Sequence, residues 1–253
     1  DDATAVAVGS NIVLNFSEAV DVESGDIVIY KTSDNSVIET IAVGSGQVTG
    51  TGTTQITINP SSDLASSTEY YVQIAATGFD DAAGNSYAGI TDTTSLSFTT
   101  ADIVAPTISS FSSSTSDGSY NVGDTINITA TASESIQSGN TLTVTLDTGD
   151  TVLLTAASAG TTLTGTYTVG AGDTSSDLTV SSFSIGTVED TAGNAMTSTT
   201  VPSSNNIADN SAIVVDTSAP TLSSSSPADD ATAVAVGSNI VLNFSEAVDV
   251  ESG

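Results

Sequence analysis

Short segments in which apolar and polar residues alternate recur along the whole chain, separated by glycine, asparagine, aspartate and serine. Residues 11–16 are typical, because Ile12, Leu14 and Phe16 occupy every second position. A period of two places such side chains on one face of a strand that is buried on one side. No segment shows a convincing 3.6-residue period of an amphipathic helix. The pattern therefore predicts an all-β protein built from short strands.

The alternating segments form two groups of comparable length. The first group of predicted strands is 11–16, 26–31, 36–43, 47–50, 53–59, 68–75 and 93–100. The second group is 107–112, 125–132, 141–146, 151–156, 161–169, 177–185 and 195–201, with 211–215 closing it. About seven short strands in roughly 100 residues are typical of a β-sandwich with immunoglobulin-like topology. Tyr70 or Tyr71 is a candidate corner tyrosine of that fold, and an ordinary strand aromatic is the alternative.

The chain repeats itself. Residues 1–25 return without a substitution at 229–253, which gives a period of 228 residues. A fainter period of 114 residues relates Pro106 to Pro220. Such periods predict a tandem array, with sandwich domains at 1–101 and 102–216, joined end to end, and with 217–253 as a linker and the first two strands of the next repeat. Because two strands alone are marginally stable, residues 229–253 represent either a window on a longer polymer or a tail swapped into another copy.

The charge of the chain is strongly one-sided. Its net charge is −29, and Lys31 is its one basic side chain. Such a chain repels nucleic acid and anionic membranes and attracts divalent cations. Without histidine, cysteine or arginine, most acid–base and nucleophilic chemistry is missing, so we expect no enzyme. The absence of cysteine, with scarce lysine and arginine, fits a secreted bacterial surface protein, and no apolar run of transmembrane length is present.

Three acidic features recur in both predicted sandwiches: a glutamate just after the second strand, an Asp-x-Ala-Gly-Asn loop before the last strand, and an aspartate in the linker. The candidate metal ligands are Glu18, Asp80, Asp81, Asn85, Asp102, Glu134, Glu189, Asp190, Asn194 and Asp216. The loops that carry them meet at one end of an immunoglobulin-like sandwich. Crowded carboxylates favour a cation, and oxygen ligands alone favour Ca²⁺. The alternative is a solvated acidic turn in which Gly-Asn supplies a positive φ.

Several of these segments carry a family resemblance. The motif Val-Gly-Ser-Asn-Ile-Val-Leu-Asn-Phe-Ser-Glu-Ala-Val, the Asp-x-Ala-Gly-Asn loops, Leu-Ser-Phe-Thr-Thr at 96–100 and Val-Asp-Thr-Ser-Ala-Pro-Thr at 215–221 resemble bacterial Ig-like repeats. The resemblance implies an extracellular stalk or filament module of a giant adhesin, often rigidified by Ca²⁺ at domain junctions. Its expected partners are neighbouring repeats, or other copies end to end, with no nucleic acid and no membrane insertion. The alternative is a carbohydrate- or ligand-binding adhesion module. For that, tyrosine rings clustered on one face would be the sign.

Overall fold

The computed structural model describes residues 1–249 and confirms an all-β fold of sandwich type. Its residues divide into two compact units. The first comprises Asp1–Ala105 together with Glu189–Ala195, and the second comprises Pro106–Val188 together with the chain from Met196 onward. Within the described range, no helix is long and apolar enough to span a membrane.

The first unit contains nine strands in two sheets. The strands are β1 (Ala3–Val6), β2 (Ile12–Val22), β3 (Asp26–Lys31), β4 (Ser36–Ala42), β5 (Val48–Thr49), β6 (Thr53–Ile58), β7 (Glu69–Ile74), β8 (Phe79–Asp81) and β9 (Ser97–Thr100). One sheet has the order β1-β9-β7-β3-β4 and the other the order β5-β6-β2-β8. All neighbours are antiparallel except β1 and β9. Lys31 is the last residue of β3, which pairs with β7 on one side and with the edge strand β4 on the other.

Alternate residues of both sheets of the first unit enclose one apolar core. Ile27 and Ile29 of one sheet and Ile56 and Ile58 of the other are fully buried in it. Tyr70 is also buried, and its hydroxyl oxygen accepts a hydrogen bond from the Ala65 N–H at 2.9 Å. A tyrosine at the start of a strand, bonded to backbone a few residues upstream, is the corner arrangement expected from the sequence, and Tyr70 rather than Tyr71 supplies it.

The second unit repeats the plan with a different division of its strands. These are β10 (Ile108–Ser112), β11 (Gly118–Tyr120), β12 (Thr125–Ile136), β13 (Thr141–Leu146), β14 (Thr151–Thr155), β15 (Gly160–Thr168), β16 (Thr174–Ser175), β17 (Val180–Thr187) and β18 (Ile213–Asp216). The six-stranded sheet has the order β10-β12-β15-β14-β13-β17, and the smaller sheet has the order β11-β18-β16. Both sheets contribute to a single core, in which Phe111, Ile128 and Ile213 are fully buried.

The prediction of a strand at residues 195–201 is wrong. Only an isolated bridge between Ala195 and Glu189 forms there, and Met196 is its one fully buried side chain. The segment 203–210 contains the short helix α1 (Ile207–Asn210). Asn206 and Asp209 close a capping box at its N-terminus, and Ile207 anchors it in the core.

Two further strands follow the second unit's sandwich. Strands β19 (Leu222–Ser226) and β20 (Val241–Phe244) pair with each other in a two-stranded antiparallel sheet, here called the C-terminal hairpin. Its apolar side chains lie open: Ile240 is 78% exposed, whereas Ile12, at the same place in the first copy of the repeat, is 8% exposed. The hairpin therefore has the strand pairing of a sandwich domain without its core.

Candidate functional site

The Asp-x-Ala-Gly-Asn loop of the first unit is closed by the side chain of Asp81. Its Oδ1 accepts hydrogen bonds from the N–H groups of Ala83 and Asn85 at 2.9 and 2.8 Å. Its Oδ2 accepts one from the Asn85 side-chain amide at 2.7 Å. Gly84 completes the turn with a φ of 83°, a left-handed conformation that favours glycine. The aspartate thus holds the shape of its own loop.

The loop Glu189–Ala195 reproduces this arrangement bond for bond. Asp190 Oδ1 accepts from the N–H groups of Ala192 and Asn194, each at 2.8 Å, and Oδ2 accepts from the Asn194 amide at 2.7 Å. Gly193 has a φ of 93°. Asp190 differs from Asp81 in being buried, with 1% of its surface exposed. The same sequence motif therefore folds into the same turn at two levels of solvent exposure.

These hydrogen bonds favour the charged carboxylates. The pKa of Asp81 lies below its ordinary value, mainly because the Asn85 side chain and backbone donate to it. Burial raises the pKa of Asp190, but the hydrogen bonds from Asn194 and the loop backbone outweigh that effect and leave the pKa below its ordinary value. In the first loop, Oδ1 of Asp81 accepts two hydrogen bonds and Oδ2 accepts one. Since a carboxylate oxygen has about two lone-pair sites, Oδ2 of Asp81 retains one for a cation.

The two predicted glutamates lie inside strands rather than after them, which corrects the predicted ends of both strands. Strand β2 continues through Glu18, and its pairing with β6 is irregular between Asn15 and Val20. Strand β12 continues through Glu134, within a similar irregularity of its pairing with β15. A bulge of this kind redirects side chains locally without ending the strand.

A surface cavity of about 190 Å³ brings three candidate ligands of the first unit together. Glu18, Asp81 and Asn85 line it, with Phe16 and Tyr87 as its apolar wall. Liquid water occupies about 30 Å³ per molecule, so the cavity has room for an ion with several water ligands. The lining offers carboxylate and amide oxygens without nitrogen or sulfur ligands, which is the donor set of a hard cation such as Ca²⁺.

Asp102 is held by the end of the first unit and approaches the second loop. Its Oδ1 accepts hydrogen bonds from the Ser66 hydroxyl at 3.1 Å and from the Val104 N–H at 3.0 Å. The Asn194 amide donates to the Asp102 carbonyl oxygen at 3.2 Å. Carboxylate oxygens of Asp102 and Asp190 lie within 4.8 Å of each other. Ser66 was not predicted as part of this arrangement, and no motif in the sequence marks it.

The remaining candidates take more ordinary positions. Asp80 pairs with Asp21 across β8 and β2 and forms a bridge with Ser86, and Glu189 forms the equivalent bridge with Ala195. Asp216 ends β18, is exposed, and accepts a hydrogen bond from the Ser218 N–H at 2.9 Å. Asp80 therefore lies within a short strand, Glu189 in an isolated bridge and Asp216 at a strand end.

The tyrosines form no exposed aromatic platform. All six are buried or half-buried, and the closest pair, Tyr30 and Tyr71, stack on each other with ring centroids 4.8 Å apart. Sugar-binding surfaces need open aromatic faces, and the chain has no tryptophan to provide one. This arrangement disfavours the carbohydrate-binding alternative.

Comparison with known proteins agrees with the fold. A family model described as bacterial Ig-like domain matches residues 1–100 and 216–253, which are 100 and 38 residues, or 138 of 253 in all. The second match covers the C-terminal hairpin, and residues 101–215 lie outside both matches. No curated protein matches the chain.

Proposed function

Because the chain belongs to the family of bacterial Ig-like domains, we propose that it is a spacer module in the stalk or filament of a repetitive extracellular bacterial surface protein. The observation that carries this proposal is the repeat of residues 1–25 at 229–253, and the pairing of β19 with β20 after the second unit's sandwich supports it. A module of this kind acts through its length and stiffness, and it needs no catalytic group. Its partners are the neighbouring repeats of the same polypeptide.

Chains of one, two and three periods of 228 residues test the spacer role by small-angle scattering. A stalk gives a radius of gyration that rises almost in proportion to the number of periods. A collapsed array follows roughly the 0.38 power of chain length, as compact domains do. A radius of gyration that follows this weaker dependence on chain length would contradict the proposal. The same chains with a Gly/Ser linker in place of residues 102–105 serve as the control for stiffness, since such linkers behave as flexible coils.

We propose further that Ca²⁺ stiffens the array at the domain ends. Two observations support this: Glu18, Asp81 and Asn85 line one cavity, and the carboxylates of Asp102 and Asp190 approach each other. Two carboxylates so close are stabilised when a cation neutralises them. The other candidates, Glu134 and Asp216 among them, remain predictions from the sequence.

Calorimetry in Ca²⁺ and in chelator tests the metal. A ligand that binds the folded state alone adds about 2.7 kcal/mol at a hundredfold excess over Kd, and this raises the melting temperature by several degrees for each kcal/mol. Glu18→Gln removes one ligand charge and is expected to weaken Ca²⁺ binding to the first unit. Glu23→Gln removes the same charge outside the cavity lining and is expected to leave binding unchanged. Melting temperatures that are identical in Ca²⁺ and chelator would rule out the metal.

A further inference from the structure

The same antiparallel strand pair occurs twice in the chain, with the same register. In the second unit, Ser110, Phe111 and Ser112 of β10 face Thr131, Ala130 and Thr129 of β12. In the C-terminal hairpin, Ser224, Ser225 and Ser226 of β19 face Asn243, Leu242 and Val241 of β20. Both pairs also have an irregularity after their first partners, Ile108–Ala132 and Leu222–Phe244. The first strand of the repeat therefore has one fixed way of pairing with the second strand.

A reciprocal pair of hydrogen bonds secures the start of each pairing. Thr107 N–H donates to the Ser133 hydroxyl at 3.0 Å, and Ser133 N–H donates to the Thr107 carbonyl at 2.8 Å. In the hairpin, Thr221 N–H donates to the Ser245 hydroxyl and Ser245 N–H donates to the Thr221 carbonyl, both at 2.9 Å. These bonds occur although the surrounding sequences differ, so they belong to the strand pairing itself.

In the first unit, β2 corresponds to the second strand of this pair, and in the described part of the chain one of its edges has no strand beside it over residues 13–16. Residues 13–17 of β2 are identical in sequence to 241–245. On one edge Val13–Asn15 pair with β6, and β8 pairs with the other edge only over Val20–Val22. Among residues 1–249, no strand pairs with that other edge over 13–16. Its side chains are partly open as well, since Val13 is 45% exposed. An open edge presents unpaired N–H and C=O groups that template the addition of a strand.

We propose that the edge of β2 over residues 13–17 is a docking site for a strand with the sequence of residues 221–226, supplied by the preceding repeat of the same polypeptide. Only two residues, 227 and 228, separate the strand 221–226 from Asp229, which corresponds to Asp1 in the repeat. The same strand of a preceding repeat would therefore lie close in sequence to Asp1 and could reach β2. The proposal requires the tandem arrangement but neither calcium nor a mechanical role. Each sandwich then takes its first strand from the segment that links it to its neighbour.

The identity of the two sequences fixes the register of the docked strand. Subtracting the period from the hairpin partners places the Leu222 position opposite Phe16, the Ser224 position opposite Asn15, the Ser225 position opposite Leu14 and the Ser226 position opposite Val13. The Thr221 position then exchanges its two hydrogen bonds with Ser17. Asn243 in the hairpin donates its side-chain amide to the Ser224 hydroxyl at 3.0 Å. Asn15 uses its side-chain oxygen for Gln55, and its amide N–H groups can make the same bond.

Engineered disulfides test this register, because the native chain contains no cysteine. Residues 216–228 are fused directly before Asp1 of the full chain, which reproduces the natural junction between 228 and 229. Ser224→Cys in the extension is combined with Asn15→Cys. Facing residues have Cα atoms about 4.5–5.5 Å apart, within the span of a disulfide. The control places Ser226→Cys in the extension with Asn15→Cys, a diagonal pair about 7–8 Å apart, beyond the usual limit. We expect the first pair to oxidise about tenfold faster or more.

Amide hydrogen exchange on the cysteine-free fusion gives a second readout. Docking is expected to slow exchange of the open-edge amides within residues 13–17 by about tenfold or more, since exchange then requires local opening. Thr221→Pro in the extension removes the N–H that bonds Ser17, and it should abolish part of this protection. Equal oxidation of the two cysteine pairs, or unchanged exchange, would overturn the docking site.

A variant without the added residues 216–228 shows whether the docked strand can come from a second copy of the chain. This variant carries Asn15→Cys together with Ser224→Cys in its own β19. A disulfide between two copies that forms faster as concentration rises would show that a second copy is the donor, and it would overturn the assignment to the preceding repeat. A monomeric reduced chain, with efficient cross-linking only in the fusion, is the expected result. Neither outcome depends on the scattering profile that tests the spacer role.

Discussion

Phe16 and Phe244 are the same residue of the repeat in two different environments, and substituting each by alanine is a direct test of the unit organisation. The ring of Phe16 packs against Phe79 and Tyr87, with centroid distances of 5.4 and 5.3 Å. Phe244 lies in the C-terminal hairpin and is 39% exposed. The residues around both are identical over 25 positions, so intrinsic strand propensity cancels in the comparison.

The expected losses of stability differ severalfold. Replacing a buried phenylalanine by alanine costs about 3–5 kcal/mol, and Phe16 is half-buried, so its loss is expected at about 3 kcal/mol. That value shifts the folding equilibrium of the first unit by about 150-fold, at roughly 1.4 kcal/mol for each factor of ten. Surface substitutions usually stay within about 0.5 kcal/mol, and Phe244→Ala is expected in that range.

Urea unfolding of the full chain, followed by tyrosine fluorescence, measures both effects. Tyr87 contacts the Phe16 ring and reports on the first unit. Phe16→Ala is expected to lower the midpoint of the first unit's transition and to leave that of the second unit in place. Equal losses from the two substitutions would refute the reasoning, because Phe244 would then be buried by a core that the hairpin lacks.

Tyr70→Phe removes the acceptor of the Ala65 N–H and should cost about 1 kcal/mol in urea unfolding, the usual net contribution of one hydrogen bond; an unchanged midpoint would argue against the corner role. Gly165→Ala should destabilise the second unit by about 1–3 kcal/mol, because a Cβ there meets the Leu153 carbonyl oxygen; a neutral result would mean that the sheet relaxes freely. Acid should weaken the loop at Asp190. Its depressed folded pKa gives stability that is complete above the unfolded pKa near 4 and is lost as pH falls through the folded value. Melting temperatures from pH 7 to pH 2 check this, and Asp190→Asn should flatten the profile.

The alternation of apolar residues was enough to predict the fold class and most strands. In β12, for example, Ile126, Ile128 and Ala130 recur at every second position and are all fully buried. The prediction of a strand at 195–201 failed because the segment has the polarity pattern of a strand, yet Met196 is its one buried side chain and Val201 only partly packs against the core. Helix α1 carried a readable signal, since Asn206 and Asp209 have the spacing of a capping box.

The candidate cation site could be predicted only in outline. The sequence identifies the loops of Asp81 and Asp190, because glycine and asparagine follow at fixed positions. It does not reveal that two backbone N–H groups of the loop already donate to Oδ1 of each aspartate. Nor does it locate the bulges at Glu18 and Glu134, which arise from a local shift of register between strands and leave no mark in composition.

The single lysine limits how proteases can attack the chain. An enzyme that cleaves after lysine or arginine has one susceptible bond, Lys31–Thr32. Lys31 pairs with Ser36 on one side and with Tyr70 on the other, so this bond enters a protease cleft only after the five-stranded sheet has opened. Residues 32–35 form a turn directly after this bond, so digestion by such an enzyme depends on opening of the backbone pairing at the end of β3. A chain of this composition therefore offers trypsin-like enzymes a single bond to cleave, and that bond joins a paired strand to a turn.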